Sequence, residues 1–249
     1  MRPDASKKIA KVTPKGGPNP VVIGAIVAAV VVVAVVVAVL IGNSGKSGSS
    51  AGTSSGSSAP VGVVGGTGGG ILVNPATAKS KAPTLDIYED FQCPTCGELE
   101  KAMGSQIASM AEAGQIKLVV HVLSFLDANL KNDSSSRAAN AAACAADAGK
   151  YLQYHSAVFA AQPAQEGAGY TDAQLTQFAK TAGITGTALT TWQKCTSSGQ
   201  HARYVTDVQT GAEKAGVFGT PTVKLNGKDI TKTLTTGDAL VAQVKAATK

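Results

Sequence analysis

The chain has 249 residues, a formal net charge of +6 and low shares of aromatic (4%) and charged (15%) residues. Most of the excess positive charge lies in residues 1–20, where five basic residues stand against one acidic residue. Because the remainder is close to neutral, the charge argues against nucleic-acid binding and indicates a basic cytoplasmic leader beside a membrane. The C-terminal portion, roughly 180 residues, is long enough to bury one core.

Residues 21–41 form an apolar run without charge, proline or serine. A helix of this length spans about 30 Å, which matches the core of a bilayer, and in lipid only a helix satisfies its own backbone. The run is longer than the apolar part of a typical signal peptide, and no clear cleavage site follows it. We therefore predict a single-pass transmembrane signal anchor, with cleavage as the alternative, a cytoplasmic N-terminus and an extracytoplasmic domain.

Residues 42–70 are rich in glycine, serine and threonine and carry almost no charge. Such a segment has too little apolar surface to order itself, so it predicts a flexible, disordered linker. We expect this linker to hold the globular domain, residues 71–249, away from the membrane.

A Cys-x-x-Cys motif, Cys93-Pro94-Thr95-Cys96, lies between a strand-like run at 84–90 and a helix-like run. At such a junction this motif is typical of a dithiol redox site. Cys93 would lie at the helix N-cap, where free N–H groups and the helix dipole stabilise a thiolate. Cys96, one turn later, would face inward and resolve a mixed disulfide. We therefore predict two catalytic cysteines that need no cofactor besides their own disulfide.

Two other interpretations of the motif remain open: half of a structural zinc site, and an inert disulfide. Structural zinc usually takes four ligands as two close pairs. The remaining cysteines are not a second Cys-x-x-Cys pair, and the histidines are scattered singly: Cys144 and Cys195; His121, His155 and His201. We therefore expect no metal, with a zinc-bound structural protein as an alternative.

The elements around the motif predict an interrupted α/β (α+β) fold. Residues 71–73 are a short strand candidate, and the nearly all-apolar run at 116–125 predicts a central strand parallel to the one before the motif. Between about 126 and 198 no strand pattern occurs. Instead, an alanine-rich run at 137–154 and a capping-box sequence beginning at Thr171 predict a helical insertion.

The last part of the chain predicts a helix, a hairpin and a closing helix. A helix-like run at 200–215 precedes a strand at 222–225, which meets Asn226-Gly227, a strong signal for a two-residue hairpin. A closing helix follows at 237–247. This order of elements is that of a thioredoxin fold with a helical insertion.

The second cysteine pair, Cys144 and Cys195, brackets most of the predicted insertion. In an oxidising compartment two such cysteines usually form a structural disulfide, which we predict here. The alternative is two free buried thiols.

At this point the chain resembles a known family, the DsbA-like thioredoxin-fold disulfide oxidoreductases, in particular the membrane-tethered, extracytoplasmic actinobacterial type. The resemblance covers about 71–249. It rests on the helical insertion after the second core strand and on two short runs, Phe91-Gln92-Cys93-Pro94-Thr95-Cys96 and Gly219-Thr220-Pro221-Thr222.

The resemblance implies roles for further residues. Pro221 would be cis and lie against the disulfide, and Thr220 would offer backbone hydrogen bonds to an extended substrate; an ordinary trans proline on an edge strand is the alternative. The dipeptide between the cysteines would set the redox balance. A buried acidic residue would lie near the cysteines, and Glu89 and Asp90 are the candidates, whereas Glu98 is expected on a solvated helix face.

The function implied by this resemblance is an extracytoplasmic enzyme that donates disulfides to reduced exported proteins. It also implies reoxidation by a membrane, quinone-linked partner of the DsbB or VKOR type. We expect a monomer, because no additional dimerisation domain is visible in the sequence. The alternatives are a disulfide isomerase or reductase, and a non-catalytic thioredoxin-fold module that binds peptides.

Overall fold

The computed structural model of the chain describes residues 59–248. The predicted leader (1–20), the predicted membrane span (21–41) and the predicted linker as far as residue 58 lie outside the described residues. Within 59–248, none of the helices is both long and apolar enough to cross a membrane.

A mixed sheet forms the centre of the described region. Its strands are β1 (Ile71–Leu72), β2 (Thr84–Glu89), β3 (Lys117–Val122), β4 (Thr222–Leu225) and β5 (Lys228–Asp229). They lie in the order β1-β3-β2-β4-β5, with β2 and β3 parallel and every other neighbouring pair antiparallel. The predicted parallel pair is therefore confirmed, as is the hairpin between β4 and β5, where Asn226 and Gly227 both have positive φ.

Helices cover the sheet and form the insertion. They are α1 (Pro94–Leu99), α2 (Ser105–Glu112), α3 (Phe125–Leu130), α4 (Ser134–Asp147), α5 (Tyr151–Ala160), α6 (Asp172–Thr181), α7 (Gly186–Ser197), α8 (Ala202–Lys214) and α9 (Gly237–Ala247). A π-helical turn, Glu100–Gly104, joins α1 to α2, and a 3₁₀ turn, Thr231–Thr233, follows β5. The insertion consists of α3 to α7, close to the predicted range of 126–198.

One helix boundary in the insertion differs from the prediction. The alanine-rich run at 137–154 is not a single helix, because α4 ends at Asp147 and α5 begins at Tyr151. Gly149 lies between them with a φ of +65°, a left-handed conformation that ends a helix and that glycine adopts without steric cost. The predicted capping box at Thr171 is confirmed, with Gln174 as its partner.

The predicted linker is wrong for residues 59–70, which pack on the domain. The amide of Val64 donates to the carbonyl of Gly70, and the Tyr204 hydroxyl of α8 donates to the carbonyl of Gly69 at 3.2 Å. A Cβ at Gly68 would lie 2.5 Å from the Asp207 carbonyl oxygen. The glycines of this segment therefore let its backbone lie close to that of α8. A glycine-rich composition alone does not distinguish this role from that of a flexible linker.

Candidate active site

The motif cysteines lie where β2 passes into α1. Cys93 is the N-cap of α1 with an extended backbone, and Pro94 occupies the first helical position. Cys96, in the first turn, is 1% exposed. Both cysteines are free thiols in this structure, so it represents the dithiol form. The predicted N-cap geometry is confirmed, and Pro94 and Thr95 form the exposed surface of the motif.

The two thiols have opposite acidities. The pKa of Cys93 is lowered to about 5. The largest cause is the hydrogen bond with Cys96. Contacts with Thr220 and Thr95 lower this pKa further, whereas burial opposes the shift. Burial and the neighbouring Cys93 raise the pKa of Cys96 well above its ordinary value. At neutral pH one sulfur of the pair is therefore a thiolate and the other a thiol.

The loop before β4 lies against Cys93. The Thr220–Pro221 peptide bond is cis, which confirms what the family resemblance implied and rules out the trans alternative. The Cys93 thiol lies within 3.5 Å of the Thr220 carbonyl oxygen, and the Thr95 hydroxyl within 3.4 Å of that oxygen. Thr95 Oγ1 is also 3.1 Å from the Cys93 sulfur. Thr95 and the cis-proline loop together therefore surround the N-terminal sulfur.

Side chains of the insertion hold the loop that carries the motif. The Gln162 side-chain amide donates to the carbonyls of Phe91 and Cys93, both at 2.9 Å. The Tyr170 hydroxyl also donates to the Phe91 carbonyl, at 2.9 Å. The sequence analysis missed Gln162 and Tyr170, because both lie in the stretch that connects α5 to α6 and no local pattern links them to the motif. Their contacts make the insertion part of the site.

Both acidic candidates before the motif are buried, whereas Glu98 is exposed as expected. Burial raises the pKa of Asp90 to about 7, although the Ser135 hydroxyl and two backbone amides donate to its carboxylate and oppose this shift. Glu89 lies 2.6 Å from the His155 ring of α5. The sequence therefore pointed to two acidic residues that are indeed buried, but it could not show that Glu89 pairs with a histidine and Asp90 with a serine and backbone amides.

The predicted disulfide between Cys144 and Cys195 is present, with the Cα atoms 6.0 Å apart, and it joins α4 to α7. Among residues 59–248, one group of three possible metal donors occurs, these two cysteines with His201. Its two sulfurs are bonded to each other, which leaves no thiolate for a metal. His121 stacks on Tyr88 and contacts Asp86.

Comparisons with known proteins match this geometry. A family model described as Thioredoxin matches residues 75–246. The crystal structure of reduced DsbA from Mycobacterium tuberculosis has a TM-score of 0.58 and 30% identity, with coverage of 69% of this chain and 90% of that one. The chain belongs to the DsbA-like thiol-disulfide oxidoreductases of the thioredoxin family. The reduced DsbG from the same organism is similar to this DsbA-like chain with the same score and identity, over 69% of this chain and 85% of that one.

A curated relative of a different kind matches part of this DsbA-like chain. Over 128 residues the chain is 34% identical to the serine/threonine-protein kinase PknE of M. tuberculosis strain H37Rv, which is 48% of this chain and 22% of the kinase. The chain thus spans about a fifth of the length of the curated relatives it matches. This overlap is too short to carry the kinase's activity over.

Proposed function

We propose that this protein catalyses thiol-disulfide exchange and donates the Cys93–Cys96 disulfide to reduced exported proteins. The observation that carries this proposal is the asymmetry of the dithiol form, in which the pKa of Cys93 is about 5 and that of Cys96 is raised. A strongly stabilised thiolate favours the reduced form of the pair. The disulfide form then passes its bond on readily, so the protein is an oxidant.

The exchange follows from the positions of the two sulfurs. A substrate thiolate attacks Cys93, the better placed sulfur beside the exposed Pro94-Thr95 surface, and the Cys93–Cys96 bond breaks with its electron pair on Cys96. A second substrate thiolate then attacks the substrate sulfur of the mixed disulfide, and Cys93 leaves as the thiolate. The substrate dithiol is oxidised to a disulfide, and the protein disulfide is reduced to the dithiol.

Substrate would lie along the loop before β4. Backbone groups of Thr220 would pair with an extended substrate segment, because the loop flanks Cys93 and ends in the cis proline, Pro221. Backbone pairing of this kind is largely independent of sequence, which suits an enzyme with many substrates. The isomerase, reductase and peptide-binding alternatives use the same surface and differ in the redox behaviour of the pair.

We further propose that the protein acts outside the cytoplasm as a monomer on a single-pass anchor at residues 21–41. A membrane, quinone-linked partner of the DsbB or VKOR type would reoxidise Cys93 and Cys96. A tether supports this arrangement, since it raises the effective concentration of the domain beside a membrane partner.

The redox potential of the domain tests the direction of exchange. The protein is equilibrated with a series of glutathione ratios, and the oxidised fraction of Cys93–Cys96 is read by alkylation. We expect a potential well above that of thioredoxin, about −270 mV, and towards that of strong disulfide donors, about −120 mV. A value near the thioredoxin end would overturn the donor assignment in favour of a reductase or isomerase.

Trapping identifies the substrates. In Cys96→Ser the Cys93 thiolate can still attack a disulfide of an exported protein, which breaks that disulfide, but no Cys96 thiol remains to release the mixed disulfide. Mixed disulfides at Cys93 should therefore accumulate and be released by reductant. Cys93→Ser is the matched control and should trap none. Equal trapping by both variants would contradict Cys93 as the attacked sulfur.

A further inference from the structure

One side-chain amide of the insertion bridges two carbonyls of the motif loop. Gln162 lies two positions after the end of α5, and its Nε2 donates to the carbonyl of Phe91 and to that of Cys93, both at 2.9 Å. The two carbonyls flank Gln92, so the two hydrogens of one amide nitrogen are used within three consecutive residues. Gln162 therefore contacts the backbone of the attacked cysteine directly.

The two carbonyls have other partners besides Gln162. The Cys93 carbonyl also accepts from two backbone amides in the first turn of α1, at 3.1 and 3.2 Å, and the Phe91 carbonyl also accepts from the Tyr170 hydroxyl at 2.9 Å. One good partner normally satisfies a buried carbonyl, so the satisfaction of polar groups does not explain the amide of Gln162. What its bonds add is a fixed position for the segment between the two carbonyls.

Gly97 of α1 makes room for this amide. A Cβ at Gly97 would overlap Gln162 Oε1 and lie 3.0 Å from Gln162 Cδ. The backbone of Gly97 is helical, so its conformation does not require glycine, and glycine within a helix is less favourable than alanine. The close approach of Gln162 gives the physical reason for glycine at this position.

The group that depends on this position is the sulfur of Cys93. It lies 3.1 Å from the Thr95 hydroxyl and 3.5 Å from the Thr220 carbonyl oxygen. The pKa of Cys93, which Cys96 lowers most, is lowered further by Thr220 and Thr95. These two contacts come from separate parts of the chain, so the sulfur makes both only when its backbone is held in one place. Because hydrogen bonds weaken with poor geometry, a displacement of the Cys93 backbone would loosen both contacts.

A second part of the insertion holds the residue before Cys93. The Gln92 side chain donates to the Ser135 hydroxyl at 2.8 Å and to the Asn132 side-chain oxygen at 2.9 Å. These contacts come from α4 and the loop before it and end one residue short of the attacked cysteine. The contact of Gln162 reaches Cys93 itself, which distinguishes it from this second support.

We propose that Gln162 is a positioning residue for the exchange, which holds the backbone of Cys93 where its sulfur meets Thr95 and the Thr220 loop, and that Gly97 admits it to that place. This deepens the proposed function, on which it rests. In the dithiol form the position stabilises the Cys93 thiolate, and in the disulfide form it keeps the same sulfur beside the surface where a substrate thiolate attacks. The helical insertion thereby tunes a cysteine that belongs to the thioredoxin core.

The site of the contact makes it suitable for substitution. Gln162 is half-buried and lines a groove of about 720 Å³ together with Pro94 and Gly97, so its truncation opens onto the groove and leaves no closed cavity. The test compares Gln162→Ala with Gln153→Ala, which removes an exposed glutamine side chain of α5. The measurements are the equilibrium with a glutathione series and the alkylation rate of Cys93 from pH 4 to 9, with circular dichroism and denaturant titration for folding and stability.

We expect Gln162→Ala to lower the equilibrium constant for oxidation of glutathione about tenfold, which is about 30 mV for this two-electron couple. Alkylation at pH 5 should slow about fivefold and match wild type at pH 9, where the thiolate is fully formed in both proteins. Gln153→Ala should match wild type in both measurements. A loss of stability with wild-type equilibrium and alkylation would show that Gln162 only packs, and no change at all would show no role; either result overturns the proposal.

Gln162→Glu separates hydrogen bonding from shape. The side chain keeps its size, but at pH 7 it presents a carboxylate, which only accepts, to two carbonyls that also accept. We expect its equilibrium constant to fall at least as far as that of Gln162→Ala. Wild-type behaviour of Gln162→Glu would mean that the size of the side chain, and not its N–H groups, supports the loop, and would contradict the proposed role.

Gly97→Ala disturbs the same contact from the other side and keeps the test decisive if a Gln162 variant does not fold. The added methyl group displaces Gln162, so the same changes in equilibrium and alkylation should appear. Gly237→Ala, which adds a methyl group to α9 at ordinary contact distance from Gln106, is its control and should match wild type. The double variant of Gly97 and Gln162 to alanine should be no worse than either single variant, because both remove one contact. Additive losses would overturn the shared contact on which the proposal rests.

Failure of the proposed function would be visible separately, because it concerns the potential of the wild-type protein. A thioredoxin-like potential of wild type would overturn the donor role, whereas the positioning role depends on the difference between wild type and Gln162→Ala. A tenfold difference at any wild-type potential supports the positioning role, and equal constants in the two proteins overturn it.

Discussion

The two cysteine pairs of this chain differ in what surrounds the sulfurs. Cys93 and Cys96 are three positions apart in sequence around a helix N-terminus, beside a loop that reaches the surface. Cys144 and Cys195 are 51 positions apart in sequence and join two helices inside the insertion. All four side chains are buried, so burial alone does not separate a redox pair from a structural bond.

What distinguishes the redox pair from the structural disulfide is the set of polar contacts around Cys93 and the exposed surface beside it. Cys93 has three polar neighbours that stabilise a negative sulfur, namely Cys96, Thr220 and Thr95, and the last of these is exposed. Cys144 and Cys195 lie within α4 and α7, and each sulfur is bonded to the other. A disulfide in the first setting is poised for exchange, and one in the second closes a long loop.

The largest expected effect is that of Cys93→Ser, which should abolish thiol-disulfide exchange. Without the attacked sulfur no mixed disulfide forms, so the oxidation rate of a reduced model substrate should fall to the uncatalysed rate. The substitution is measured by recovery of substrate activity in a defined redox buffer, with circular dichroism to show that the domain is folded. Appreciable exchange by this variant would remove the proposed distinction between the pairs.

For the second cysteine pair we expect the opposite result, a large loss of stability with little change in the rate of exchange. In the double variant Cys144→Ser, Cys195→Ser, the unfolded chain regains the entropy of a loop of 51 positions, so the free energy of unfolding should fall by roughly 4 kcal/mol in the chain-entropy model. The exchange rate at 25 °C should stay within about twofold of wild type. Denaturant titration and the same substrate assay measure both; a large loss of rate in a fully folded variant would give this pair a catalytic role.

A smaller and pH-dependent effect is expected at Asp90. Its pKa is about 7 in the folded protein, above the ordinary value of 3.8, so its contribution to stability is fully present below about pH 4 and is lost as pH rises towards 7. One such group changes the free energy of unfolding by at most about 1.4 kcal/mol per pH unit. Asp90→Asn should therefore have a flatter pH dependence than wild type over this interval.

The oxidised protein is the right form for this measurement. In the dithiol form the lowered pKa of Cys93 works in the opposite direction, since its contribution is lost as pH falls through about 5. Denaturant midpoints from pH 4 to 8 for the oxidised wild type and Asp90→Asn isolate the carboxyl. Equal slopes in the two proteins would mean that Asp90 is ionised throughout.

Local sequence patterns predicted much of the fold and the first contacts of the site. The motif at a strand end, the Asn226-Gly227 hairpin and the capping box at Thr171 each depend on residues close in sequence, and all are confirmed. The disulfide was predictable because only two cysteines remained once the motif was assigned.

Contacts across the insertion were not predictable in the same way. Three residues of the insertion contact the motif loop or β2 across long sequence separations: His155, Gln162 and Tyr170. Three of their contacts join residues 66 to 79 positions apart, so they depend on how the insertion helices pack. The linker prediction for residues 59–70 was wrong for another reason. A glycine-rich composition is found both in disordered segments and in segments whose backbone packs closely against a domain. Tertiary geometry decides both cases.

The smallest expected effect is that of Thr95→Val, which removes one hydroxyl 3.1 Å from the Cys93 sulfur. Because Thr95 is exposed and Cys96 has the larger influence on that sulfur, the pKa of Cys93 should rise only modestly. Alkylation at pH 5 should slow by about threefold, while the rate at pH 9, where the thiolate is fully formed in both proteins, should be unchanged. Thr206→Val, which removes a hydroxyl from the exposed side of α8, is the control and should match wild type at both pH values. If Thr95→Val does the same, the thiolate is held by Cys96 and the Thr220 loop alone, and the contrast between the two cysteine pairs rests on the cis-proline loop rather than on the dipeptide of the motif.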